Sequence, residues 1–484
     1  LTAYLPYITV VLEILYFIAI GLVAVKIIMD TKTTAKTLAY LMLIIFLPII
    51  GVLIYFIFGV NYRKNKFYTF KIQHNENVFQ SMQEYISQVN QQVIQSHGDK
   101  LFQYETLINF LFNAIHSPVM GGNEVEVLQN GENKLKKVVE VLGRAKHHIH
   151  VEYYIFDMDE TGFAIADILI RKAKEGVKVR FLYDALGSSG IRKDFIRRME
   201  AAGVEISPVN RIRFRLLANR INYRDHRKII IVDGYEAFTG GINISDRYIN
   251  NGKHKTYWRD THLYLRGEGI FYLQYMFLSN WMFSRHEQVP LDREYFYSGP
   301  ATGEKIIQTV GSGPDTRPAI MQSTVSSIYA ARKRLYIATP YFIPGESVLN
   351  AIKQAALAGL DVRLMVPAKS DSIFVNAAAF SYYYELLRAG VRVYLYQNGF
   401  LHAKTVVIDN NLSMVGSANM DIRSHEVNFE VNVLVYDRDI NEQLYQAFIS
   451  DLEDCEEIDR EKWGDRNKWK VFFEHLARLL SPLL

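Results

Sequence analysis

Two apolar runs fill most of the first 60 residues, separated by the polar stretch DTKTTAK at residues 30–36. The pattern predicts a two-helix transmembrane hairpin over residues 1–62. Residues 37–62 carry no charge; at about 1.5 Å rise they span roughly 39 Å, enough for a bilayer core of about 30 Å with tilt. The first run, residues 4–25, contains Glu13 but lacks the basic start and small-residue cleavage site of a removable leader. It is expected to span as well, with Glu13 facing the partner helix or a boundary. Arg63, Lys64, Lys66 and Lys71 follow the second run, which predicts that both ends of the hairpin and everything after it lie on the cytoplasmic side. Lys32 and Lys36 in the connecting loop make that bias slight.

Beyond the hairpin the pattern changes. Residues 63–100 open with basic and aromatic NYRKNKFYTFK, then turn Gln- and Asn-rich with Val78, Met82, Tyr85 and Val89 at helical spacing, as a linker or surface helix. From residue 101 short β runs alternate with amphipathic helices. HHIHVEYYIF, TGFAIADILIRKAKEG and KVRFLYDAL read as strand, helix, strand, a unit that implies parallel pairing. RLYIATPYFI, SVLNAIKQAALAGL and DVRLMVPA repeat that order, and AAGVEI is matched by RAGVRV. The repeat distance is domain-sized, so this is a duplication. The expected fold is α/β, with two mixed-sheet halves at 101–298 and 299–460 joined through the Pro- and Gly-bearing PLDREYFYSGPATGEK. In residues 461–484, Trp469, Phe472, Phe473, Leu476, Leu479 and Leu480 share a helical face; an interfacial helix and a helix packed on the domain fit it equally.

Composition changes this picture little. The chain has 484 residues, 49% of them apolar and 22% charged, and a formal charge of +4. That balance gives no electrostatic preference for nucleic acid, so an anionic partner has to be met by a local patch. RIRFRLLANRINYR offers one: Arg211, Arg213, Arg215, Arg220 and Arg224, interleaved with Phe214, Leu216 and Leu217, suit anionic lipid at a membrane surface. A lone Cys455 rules out an internal disulfide and a cysteine metal cluster.

The chemistry lies in a motif present twice. HRKIIIVD supplies His226, Lys228 and Asp233, and HAKTVVID supplies His402, Lys404 and Asp409, both fitting H-x-K-x4-D. GGIN, with Gly241 and Asn243, follows the first; GSAN, with Ser417 and Asn419, follows the second. One copy is a weak signal, but two copies in register within a duplication are not a coincidence. A side-chain period of two puts each His and Lys on one strand face and the Asp on the other parity, where DG and DNN signal hairpin turns. These two members of the motif are thus expected to hold a turn or bond backbone. The return strand brings small residues and Asn beside the His and Lys.

This constellation suits a phosphodiester. A neutral imidazole attacks phosphorus, a second protonates the leaving oxygen, and two Lys and two Asn stabilise charge on the non-bridging oxygens. Each His needs a carboxylate to fix its tautomer; Glu430 is expected beside His402 and Asp260 beside His226, each within its own repeat. His226 is the expected nucleophile and His402 the acid, then base. HHIH at residues 147–150 is matched in the second half by RLYI and is read as structural. No P-loop or dinucleotide motif occurs, and neither a cofactor nor a metal is expected.

At these residues the chain resembles the phospholipase D superfamily, whose signature is H-x-K-x4-D with a G-(G/S)-x-N tail. NYRDHRKIIIVDG, WRDTHL, SGPD, TPYFIPGES, GFLHAKTVVID, GSANMDIRSHEVNFEVN, the amino-terminal runs and the RLLSPLL ending are similar to bacterial cardiolipin synthases over essentially the whole length. Asn398 stands before Gly399 where that family often has proline. The resemblance implies a phosphatidyltransferase of the plasma membrane: one phosphatidylglycerol donates its phosphatidyl group to a histidine, glycerol leaves, and a second phosphatidylglycerol attacks. A hydrolytic phospholipase D, or transfer to another alcohol, fits the same residues. The partners implied are anionic phospholipid and the membrane, not nucleic acid; a homo-oligomer is compatible.

Overall fold

A computed structural model describes residues 5–31, 34–56, 83–209, 223–289, 295–296, 299–479 and 481. They form two units, a small helical one at the amino terminus and an α/β body. Most of the expected linker, Phe214, Leu216, Leu217, the junction residues 290–294 and Leu480 lie outside the described residues.

The helical unit consists of α1 (Leu5–Asp30), α2 (Thr34–Phe46) and α3 (Pro48–Ile54). Residues Val10–Asp30 form the one helix among the described residues that is long and apolar enough to cross a membrane. The second run departs from the straight span expected over residues 37–62. It breaks at Leu47, whose backbone sits at φ −138°, ψ 68°, because the residue before a proline is pushed out of the α region. The chain then folds back on α2. A Cβ at Gly51 would lie 2.7 Å from the Leu43 carbonyl carbon, so this close approach requires glycine. Tyr55 ends beside Tyr40, with ring centroids 5.5 Å apart, and its hydroxyl donates to Asp30 at 3.1 Å.

The body is built on one sheet of fifteen strands. The first half contributes β1 (Met120–Gln129), β2 (His148–Tyr153), β3 (Lys178–Asp184), β4 (Glu205–Val209), β5 (Lys228–Val232), β6 (Glu236–Gly240) and β7 (Thr261–Arg266). The second contributes β8 (Lys305–Ser312), β9 (Arg334–Ala338), β10 (Asp361–Pro367), β11 (Arg392–Tyr396), β12 (Thr405–Ile408), β13 (Leu412–Gly416), β14 (Glu430–Tyr436) and the edge strand β15 (Cys455–Glu457). The order is β15-β11-β10-β9-β12-β13-β14-β8-β1-β7-β6-β5-β2-β3-β4. Leaving the edge strand aside, it reads as one seven-strand series run twice from the centre outward, as the duplication expected. The halves join where β1 pairs antiparallel with β8, with Met120 opposite Ile307.

The apolar alternation explains the layers. Helix Glu160–Lys174 crosses from β2 to parallel β3 and buries Ile165, Ile168 and Leu169; Glu346–Leu357 does the same between β9 and β10 with Val348, Leu349 and Ile352. A central core shared by the halves packs Leu263, Ile307, Val431, Val433 and Ala403. His148 and His150 belong to the interior of the first half, His150 stacked on Phe277 with centroids 4.4 Å apart. Helix Lys468–Arg478 buries Glu474 and Ala477 and leaves Trp469, Phe472, Phe473 and Leu476 exposed, as is Leu479 just past its end.

Candidate active site

Each H-x-K motif enters its sheet through a short extended segment, and each segment pairs with the opposite half. Asp225 bridges in parallel to Phe429, and the His226 amide donates to the Phe429 carbonyl at 2.9 Å. In the mirror arrangement Leu401 pairs in parallel with Arg259, and the His402 amide donates to the Arg259 carbonyl at 2.7 Å. Phe429 and Arg259 immediately precede Glu430 and Asp260, so the crossed pairing delivers each carboxylate to the other half's histidine.

The orienting carboxylates are therefore exchanged relative to the sequence expectation. His226 Nδ1 lies 2.9 and 3.0 Å from the two oxygens of Glu430, and His402 Nδ1 lies 2.6 Å from Asp260 Oδ2. With Nδ1–H given to the carboxylate, each imidazole keeps Nε2 for substrate. Ser417 Oγ donates to Glu430 at 2.5 Å and the Thr261 amide to Asp260 at 2.7 Å. At Gly241, the counterpart of Ser417, a Cβ would lie 2.1 Å from Asp260 Oδ1, so the shorter acid is seated only because that side chain is missing.

Lys228 Nζ donates to the His226 carbonyl at 2.5 Å and Lys404 Nζ to the His402 carbonyl at 2.6 Å. Both lysines are buried. Desolvation lowers Lys228 to about 7 and Lys404 to about 8, against the pull of Glu430 and Asp260. Desolvation also lowers both imidazoles. Glu430 partly offsets this at His226, whereas Lys404 adds to it at His402, which falls to about 3. Burial pushes the Glu430 carboxyl up, but His226, Lys228 and Ser417 outweigh it and hold it below its ordinary value. Negative charge brought beside these bases would favour their protonated forms.

Asp233 and Asp409, grouped by motif with the catalytic residues, stand at the far ends of β5 and β12. Both adopt left-handed backbone, φ 54° and 48°. Asp233 accepts the amides of Lys146, His147 and His148 at 2.9, 2.7 and 3.0 Å. Asp409 accepts those of Arg332, Lys333 and Arg334 at 2.9, 2.7 and 3.1 Å. They tie the turn after the motif strand to the start of the neighbouring strand and touch no reacting group. Asn243 spends a donor on the Tyr248 hydroxyl at 2.7 Å and Asn419 one on Asp421 at 3.0 Å; each amide nitrogen keeps its second hydrogen.

Of the five arginines expected to meet lipid, Arg211, Arg213, Arg215 and Arg220 lie outside the described residues. Arg224 is corrected: it is buried, 3.4 Å from Asp184, because its own carbonyl pairs with Phe429 and draws it into the wall behind His226. The structure adds residues that spacing did not single out. The Tyr154 ring lies 4.8 Å from that of His226, and Trp258 lies 5.4 Å from that of His402. Lys134, fully buried, donates to the carbonyls of Ile242 and Asn243 at 2.9 and 3.1 Å and fixes the GGIN loop. Aromatics directly after β2 and before the acid were visible signals; nothing in the sequence marks Lys134.

A family model described as cardiolipin synthase, PLD-like domain, matches residues 138–255 and 325–452. One described as phospholipase D-nuclease N-terminal matches residues 14–59. Cardiolipin synthase 2 of Bacillus anthracis is 42% identical over 96% of this chain and 90% of its own length. The cardiolipin synthase of Geobacillus sp. (strain WCH70) is 40% identical over 98% and 94%, and that of Listeria innocua 37% over 100% of both. The crystal structure of phosphatidylserine synthase from Haemophilus influenzae superposes with a TM-score of 0.59 at 14% identity, over 79% of this chain and 100% of that one, a likeness of fold.

Proposed function

Because the chain belongs to the cardiolipin synthases of the phospholipase D superfamily, we propose that its two crossed histidine–carboxylate pairs carry phosphatidyl transfer from one phosphatidylglycerol to another. The observation that carries this reading is that the two crossed histidine–carboxylate pairs and the two buried lysines lie close enough for Lys404 to act on His226 and Lys228, and Lys228 on His402.

The donor's phosphodiester binds over Lys228 and Lys404, with Asn243 and Asn419 supplying further donors. The Nε2 of one histidine attacks phosphorus as the other protonates the departing glycerol oxygen. The P–O bond to glycerol breaks as the P–N bond forms. The second histidine, now neutral, takes the proton from the incoming hydroxyl of the acceptor phosphatidylglycerol; the P–N bond breaks and cardiolipin leaves. We assign His226 as nucleophile. Glu430 works against the burial that lowers its basicity and holds Nδ1–H, leaving the Nε2 lone pair to attack, while at His402 burial and Lys404 favour release of a proton against the pull of Asp260. Arg211, Arg213, Arg215 and Arg220 gather anionic lipid, and Arg63, Lys64, Lys66 and Lys71 favour a cytoplasmic face for the catalytic body.

Purified enzyme in phosphatidylglycerol vesicles tests the reading. Cardiolipin and glycerol are expected in equal amounts; phosphatidic acid as the main product would replace transfer with hydrolysis.

A further inference from the structure

The path of the second apolar run carries an inference about how the chain meets the membrane. In α2 and α3 the chain descends from Thr34 to Phe46, turns at Leu47 and climbs back, so that Tyr55 again reaches Asp30. A 13-residue helix is about 20 Å long, short of a hydrocarbon core of about 30 Å, whereas the 26 residues of α1 reach roughly 39 Å. The turn itself reads IIFLPIIG over residues 44–51, with no polar side chain. Phe46, Leu47, Ile49 and Ile50 are all exposed on it. A helix–helix turn in water or among headgroups carries polar residues; this one does not. At the turn the Leu47 amide donates to Leu43 at 2.8 Å, the Gly51 amide donates to Leu47 at 2.6 Å, and Pro48 has no N–H to satisfy.

From these observations we infer that α2 and α3 form a re-entrant hairpin, with its turn buried in hydrocarbon, beside a single crossing helix α1. The occupant of its exposed apolar surface is one leaflet of the bilayer. The arrangement also accounts for the charges. A complete second crossing divides the flanking basic residues, placing Lys32 and Lys36 on one side and Arg63, Lys64, Lys66 and Lys71 on the other. A re-entrant hairpin gathers all of them, with Lys26, on the face where Asp30 emerges, while residues 1–25 contain no Lys or Arg. The basic residues that a second span would divide then lie together on one face. The face opposite the catalytic body is then the one where α1 begins.

Single cysteines at positions 2, 32, 47 and 61, each in a Cys455→Ser background of the full chain, test this with a membrane-impermeant maleimide in intact cells and in inside-out vesicles. Detergent-solubilised samples establish that each thiol reacts. Thr2→Cys should label from one face only, Lys32→Cys and Asn61→Cys from the other, and Leu47→Cys from neither. Labelling of Lys32→Cys and Asn61→Cys from opposite faces, or of Leu47→Cys from the Thr2 face, means a complete second span and overturns the inference. So does labelling of positions 2, 32 and 61 from one face. If the expected pattern appears with inside and outside exchanged, the hairpin stands and the cytoplasmic reading fails.

Discussion

Crossed carboxylates make a prediction that an uncrossed arrangement reverses. Glu430 is fully buried, accepts His226 Nδ1–H through both oxygens and also accepts Ser417 Oγ. In Glu430→Gln the amide presents N–H to the imidazole, which turns Nδ1 into an acceptor, places the proton on Nε2 and removes the lone pair assigned to attack phosphorus. Loss of the correct tautomer costs a hydrolytic triad on the order of 10⁴-fold, and a drop of about 10³- to 10⁴-fold, or about 4–5.5 kcal/mol of barrier, is expected here. The distinguishing assay uses a phosphatidyl donor whose leaving group needs no protonation. Under rapid quench, Asp260→Asn, which disturbs only the acid at His402, should still give a burst of phosphatidyl-enzyme, and Glu430→Gln should give none. Wild-type adduct mapped to His226, but lost in Asp260→Asn and kept in Glu430→Gln, refutes the crossed pairing. Adduct on His402 with the same loss and retention leaves the crossing intact and exchanges the two histidines' roles.

Three further outcomes follow from the same geometry. Lys228→Gln or Lys404→Gln should lower kcat on the order of 100-fold or more, as when one donor to a developing oxyanion is removed, with vesicle binding measured by sedimentation unchanged. Asp233→Ala removes the acceptor of three amides and puts alanine at φ 54°; thermal unfolding should show a loss of about 2–4 kcal/mol while kcat per folded molecule stays near wild type. In the proposed role Lys228 and Lys404 hold a phosphate only while charged, and burial lowers them to about 7 and 8. Charge is present below that window and lost as pH rises through it, so KM in vesicles of fixed composition should climb from about pH 7 upward; a flat KM to pH 9 contradicts the assigned lysine role.

Much of this site is legible in one dimension because the duplication writes it twice. The His and Lys of each motif share a strand face by period, and the DG after IIIV announces the turn that Asp233 holds. What sequence does not reveal is the pairing between halves. Asp260 and His226 are near neighbours in one repeat, yet the contact that decides the partner is the His226 amide on the Phe429 carbonyl, 203 residues away. Arg224 looks like one more member of a basic stretch until that same pairing buries it against Asp184. The second apolar run satisfies every criterion of length and hydropathy for a span, since hydropathy is blind to direction. Only Leu47–Pro48 and Gly51 mark the reversal, and their effect depends on α2 being there to pack against.

The central claim is covalent transfer through one histidine, and the stereochemistry at phosphorus tests it most directly. Phosphatidylglycerol made chiral at the phosphate with sulfur and oxygen isotopes is converted to cardiolipin, and the configuration of the transferred phosphorus is read by nuclear magnetic resonance. Two successive in-line displacements, onto histidine and then onto the acceptor hydroxyl, predict overall retention. Inversion would mean a single direct displacement, and the phosphohistidine mechanism would be wrong.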